Sequence, residues 1–123
     1  MIHEVTDADT AAAVGSGDVP VLATPRLIAW MEAATVRAAA ASLSEGQTTV
    51  GTSIRVEHRR ATVVGGSVEI TATGPSEMAS RHLVFTVEAV DDRGQVVAAG
   101  QIDRVIVDRN RFLQAASQPK AAP

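Results

Sequence analysis

Residues 24–43 repeat their apolar side chains at helical spacing, and after Gly46 the repeat changes to spacing two and stays there. That order leaves few folds open: one long helix, then a run of strands. In the helical part, Leu27, Ile28, Met31, Ala34, Thr35 and Ala38 fall on one arc at about 100° per residue. Thr24 followed by Pro25 reads as its start, with the threonine as cap and proline at the first helical position. Ser44-Glu45-Gly46 ends it. A helix of about 19 residues at ~1.5 Å per residue is near 28 Å long. Residues 47–60, 67–73, 81–90 and 95–107 read as strands rich in Val, Ile and Thr. Asp91-Asp92-Arg93-Gly94 is a hairpin turn, and Gly65-Gly66 and Gly74-Pro75 supply the other turns. Contiguous strands with short turns pair antiparallel. The expected class is therefore α+β, with the helix laid on one face of the sheet. Ahead of it, residues 1–6 suit a short strand. Residues 7–13 suit a short helix capped by Thr6 or Asp7, and residues 14–20 a loop.

The chain has 123 residues, 46% hydrophobic, but its aromatics are only Trp30, Phe85 and Phe112. A core of Val, Ile, Leu and Ala in so short a chain gains from burying a further face in an oligomer. One domain over residues 1–112 is expected, with a small, polar, proline-containing tail at 113–123 that lacks the apolar residues to fold. The net charge of −3 and the scarcity of stacking rings point away from nucleic acid. Without cysteine there is no disulfide, thiol nucleophile or thiolate metal site. No run approaches ~18 apolar residues and no signal-peptide pattern opens the chain, so a cytoplasmic protein off the membrane is expected.

Two polar residues break the apolar patterns. Glu32 lies at the edge of the helix arc, beside Ile28, Val36 and Ala39, where an ionised carboxylate needs water, a partner or a function. His58 shares a strand face with Ile54 and Val56, while Arg55, Glu57 and Arg59 take the other face. Taken singly, each reads as structural: a satisfied core histidine, a paired carboxylate, and Thr24 as a cap. Taken together, a carboxylate and an imidazole on elements that should face each other suit general acid–base work. Arg55, Glu57, Arg59 and Arg60 read as a solvated face, with an electrostatic dock for a phosphorylated ligand as the second reading. His3 and His82 have no ligand-spaced companions, so no metal site is expected.

Several short motifs occur in a familiar order: Val21-Leu22-Ala23-Thr24-Pro25, Trp30-Met31-Glu32-Ala33-Ala34, Thr49-Val50-Gly51-Thr52 and Val56-Glu57-His58. Gly15-Ser16-Gly17 precedes them, and Gly65, Val105-Ile106-Val107-Asp108 and Phe112 follow. Over residues 4–112 this pattern resembles the fluoroacetyl-CoA thioesterase-like family of hotdog-fold proteins. The resemblance implies a curved antiparallel sheet wrapped around one long helix. It also implies homodimers, possibly tetramers, with active sites at the subunit interface, and hydrolysis of an acyl-CoA thioester. No cofactor is implied beyond the CoA of the substrate. The family's catalytic threonine, glutamate and histidine fall on Thr24, Glu32 and His58. Its glycine, whose N–H approaches the substrate carbonyl, falls on Gly51, and Arg104 on the last strand is a candidate to contact Glu32 or the ligand. The phenylalanines in the lid of the fluoroacetate-specific enzyme have no counterpart before Thr24, which points to another acyl group. The fold alone also admits a non-catalytic acyl-CoA-binding protein, or a hydratase or dehydratase.

Overall fold

In the computed structural model, which describes residues 1–119, five antiparallel strands form one sheet. The strands are β1 (Ile2–Glu4), β2 (Gln47–His58), β3 (Ser67–Ala79), β4 (His82–Asp91) and β5 (Val96–Asp108), in the order β1-β3-β4-β5-β2. The helices are α1 (Ala11–Val14), α2 (Thr24–Ala39) and α3 (Arg109–Ala116). α2 is continued by a 3₁₀ turn over Ala40–Ser42. This is the α+β arrangement that the change of period requires: a curled half-barrel sheet around one long helix, the hotdog fold. No helix among the described residues is long and apolar enough to cross a membrane.

The helix arc meets the sheet as its spacing demands. Leu27, Met31 and Ala34 are buried against Val68 and Ile70 of β3, Val87 and Ala89 of β4, and Val97, Ala98 and Ile102 of β5. A second cluster under the end of the helix gathers Ala39, Leu83, Phe85 and Ile106. His3 stacks on Trp30, ring centroids 4.3 Å apart and 7° from parallel, and closes the β1 side.

Three expectations are corrected. Thr24 does not cap α2: Ala23 is the N-cap residue and no side-chain cap bond forms. Gly74-Pro75 is not a turn. β3 runs through it with an irregularity between Thr73 and Glu77, and the reversal into β4 is at Ser80, whose φ is +61°. The expected tail begins too early, because the Asp108 side chain accepts from the Arg111 N–H and starts α3, which carries 113–116 in helix. Residues 120–123 lie outside the described residues.

β2 is an outer strand, and its pairing with β5 carries one extra residue. Gly51 is opposite Arg104 and Ser53 opposite Asp103, so Thr52 is a bulge. Side chains alternate along a strand, so residues seven apart point to opposite faces. The bulge resets that alternation. Thr49 and Gly51 before it, and Ile54, Val56 and His58 after it, therefore all pair with inward-facing β5 positions: 106, 104, 102, 100 and 98.

Candidate active site

Thr24 is held in place from both sides. Leu22 N–H donates to the Thr62 carbonyl at 2.8 Å, Ala23 N–H to the Asp9 carbonyl at 2.9 Å, and Val21 bridges Val63. These bonds fix the entry of α2 beside the segment that leaves β2. Thr24 is then in the first turn of the helix with its hydroxyl unused by the backbone. That hydroxyl meets His58: Oγ1 is 2.8 Å from Nδ1. The other ring nitrogen, Nε2, is shielded from solvent and has no hydrogen-bond partner among the described residues. Burial pulls the His58 pKa below its ordinary value of 6.5, and the Arg60 backbone opposes this. The imidazole is therefore neutral at pH 7 and one of its nitrogens can take a proton. The pair lines a cleft of about 290 Å³ whose other walls include Ala11, Ser16, Gly17, Val19 and Val21.

Glu32 is elsewhere. Its Oε2 is 3.6 Å from Nη1 of Arg104, a long ion pair beyond hydrogen-bond range. Arg104 is 6% exposed and is fixed by Thr49: Nε donates to Oγ1 at 2.8 Å and Nη2 to the carbonyl at 3.1 Å. Burial draws its pKa below the ordinary arginine value, and the Glu32 carboxylate opposes this. An arginine stays charged under such a load. The carboxylate lies against β2 at Gly51, where a Cβ would stand 2.8 Å from Oε2 and 3.4 Å from Nη1. Only glycine gives it that room. The Glu32 side chain is 37% exposed, so it opens towards water at the uncovered flank of β2.

Within one chain the five expected residues thus form two groups. Thr24 and His58 meet at one end of the α2–β2 groove, and Glu32, Gly51 and Arg104 meet at the other. The eight residues from Thr24 to Glu32 span about 12 Å along the helix. The expected sharing of one cleft by Glu32 and His58 does not occur inside the chain. Sequence reading missed Thr49, whose clue was its place two residues before Gly51 on the same strand face. It also missed the Thr52 bulge, for which a period-two pattern carries no signal. Among the described residues no group of three or more His, Asp or Glu is arranged to hold a metal ion. His82 instead pairs with Asp103 at 3.0 Å on the outer side of the sheet.

This geometry has known relatives. The family described as FlK, fluoroacetyl-CoA-specific thioesterase, matches residues 5–110. The chain belongs to that family. It is a thioester hydrolase of the hotdog fold. The structure of the fluoroacetyl-CoA thioesterase FlK superposes with a TM-score of 0.87 at 28% identity, covering 98% of this chain and 93% of that one. A mutant of FlK in complex with fluoroacetate and CoA gives 0.84 at 28% identity, with 94% of each chain covered. A Thermus thermophilus member of the thioesterase superfamily shares the fold at 23% identity, with a TM-score of 0.86 over 94% of this chain and 85% of that one. No curated protein sequence matches the chain.

Proposed function

We propose that this thioesterase hydrolyses an acyl-CoA with Thr24, His58 and Glu32 as its working side chains, in a homodimer that completes each site. The observation that carries the reading is the Thr24–His58 hydrogen bond of 2.8 Å at a small cleft. A threonine released from helix capping to hold an imidazole is a positioning contact. The 2.8 Å contact fixes the ring in either tautomer, and the neutral imidazole keeps one nitrogen able to take a proton.

The steps follow. Water gives a proton to the His58 imidazole as its oxygen adds to the thioester carbonyl carbon. The negative charge on the carbonyl oxygen is met by the Gly51 N–H. Collapse of the tetrahedral intermediate breaks the carbon–sulfur bond, and the CoA thiolate takes the proton back from the imidazolium. A nearby carboxylate stabilises that imidazolium, and this is the role of Glu32. Arg104 keeps the Glu32 carboxylate oriented and does not itself move a proton. The steps use only these side chains, the Gly51 N–H and water.

The role of Glu32 requires the two groups to meet, and β2 supplies the means. It is an outer strand of 12 residues, an open template for a second chain. Two copies paired antiparallel along β2 bring the His58 end of one strand to the Gly51 end of the other. Ile54 and Val36, 41% and 49% exposed on this flank, are covered in that arrangement. The lining of the cleft before Thr24 is aliphatic, without a ring, which favours a small aliphatic acyl group over fluoroacetyl selectivity. The protein is read as cytoplasmic, acting on a small-molecule substrate.

A thiol-release assay over acetyl, short, medium-chain and aromatic acyl-CoAs tests the reading, with His58→Ala and Glu32→Ala alongside. Release by the wild type and loss in both variants is expected. Normal turnover in either variant would overturn the assignment of that residue. Saturable binding of a CoA thioester that stays intact would make the protein a binding module instead.

A further inference from the structure

We propose that the nucleotide end of the substrate lies in a second cleft beyond Arg60, with Arg60 and Arg93 as its phosphate ligands; this rests on the acyl-CoA reading above. The cleft at Thr24 and His58, at about 290 Å³, is at the lower limit of sites for drug-sized ligands, roughly 300–1,000 Å³. It accommodates an acyl group and the thioester but not a whole CoA. A larger cleft of about 820 Å³ adjoins it, and Arg60 and Ala61 line both. The route out of the reaction site therefore crosses these two residues.

The chemistry of the larger cleft suits a phosphorylated nucleoside. Val63 and Val64 are 64% and 40% exposed in its wall, an apolar platform for a flat base. Arg60 and Arg93 line it, and neither forms an ion pair among the described residues. Asp91, also in the wall, is turned to its own hairpin: Oδ1 accepts from the N–H groups of Arg93 and Gln95, both at 2.9 Å. Asp92 remains as the opposing charge. Arginine matches phosphate with paired donors, and in a chain of net charge −3 a polyanion must be held by such local cations. The Arg59-Arg60 run after His58 is thus part of the site and not only a solvated face.

The test compares one acyl group on CoA and on N-acetylcysteamine, which lacks the nucleotide, in wild type, Arg60→Gln and Arg93→Gln. Calorimetry with adenosine 3′,5′-bisphosphate accompanies it. KM for the CoA thioester should rise roughly tenfold in each variant, the scale of one lost charge-assisted bond, with kcat unchanged in Arg93→Gln. Kinetics on the N-acetylcysteamine thioester should not change in Arg93→Gln, which lies outside the reaction cleft, and the bisphosphate should bind both variants more weakly than wild type. An unchanged KM for the CoA thioester in both variants, or equal losses on both substrates in Arg93→Gln, would overturn the proposal while leaving the hydrolase intact. If wild type released no thiol at all, the acyl-CoA reading would fail separately. Calorimetry would then decide: weakened bisphosphate binding in both variants supports the cleft, and no binding to wild type overturns it.

Discussion

Replacing Gly51 by alanine separates the candidate site from the fold. The added Cβ would stand 2.8 Å from Glu32 Oε2, against an ordinary contact of 3.4 Å or more, so the carboxylate must retreat by about 0.6 Å. The obstacle is the end of a flexible, 37% exposed side chain, so the retreat costs little folding energy. Gly51 has no left-handed φ, and an alanine restricts the unfolded chain, which stabilises by about 0.4–1 kcal/mol. Thermal or urea unfolding should therefore show equal or greater stability. Activity should move the other way. A 1 Å misplacement costs on the order of 10²-fold, so a shift of about 0.6 Å in the carboxylate that supports the imidazolium should lower kcat for thiol release by roughly tenfold. Gly51→Ala and Glu32→Ala should also combine less than additively, because both act through one carboxylate. An alanine variant that is stable and fully active would refute the reasoning. So would one that loses activity only because it unfolds.

Thr24→Val removes the hydroxyl that holds His58 and keeps the shape, so kcat should fall roughly 10–10²-fold with little change in stability, and Thr24→Ser should restore most of it. The His58 pKa is below 6.5, so kcat/KM should be flat near neutrality and decline on an acid limb whose midpoint lies below 6.5. Burial lowers the His3 pKa in the same direction, with the N-terminus and Arg37 adding to it. As pH falls below about 6.5 the unfolded chain takes up these protons first, so folding stability should be complete above that pH and decline below it, as urea titrations can measure. Met31→Ala deletes a fully buried side chain of the main cluster and should cost about 2–5 kcal/mol by urea unfolding. Light scattering at micromolar concentration should give twice the 12.8 kDa chain mass; a monomer would contradict the completed site.

The helix and the sheet were legible because each buries one face and its spacing records which. Leu27, Met31 and Ala34 took their places in the core, and β2, β4 and β5 began and ended within a few residues of where the pattern changed. Gly74-Pro75 misled because its composition is that of a turn, while a long strand can absorb the same two residues as an irregularity. Thr24 misled because a threonine ahead of a proline has the same local sequence whether its hydroxyl serves the helix or a distant imidazole. The oddity of Glu32 and His58 was legible from their apolar neighbours. Their separation within one chain was not, since periodicity assigns a face and says nothing of position along the groove. Arg104 showed no pattern of its own; its burial is explained only by Thr49 and Glu32 arriving from two other elements.

The extra residue at Thr52 has a consequence for how this site can change over time. Seven positions separate Gly51 from His58, an odd number, and only an inserted residue lets both look inward. The site is therefore written in the length of the strand as much as in its letters. Losing any one residue between Gly51 and Ile54 would leave all the named side chains in the gene. It would leave six positions between Gly51 and His58, an even number, so a regular ladder would still pair His58 with Ala98 and keep Val56 and His58 inward. Among relatives, a one-residue gap at this point should go with a strand that lacks the bulge and keeps the site, whereas a gap that leaves the bulge in place should turn the histidine outward.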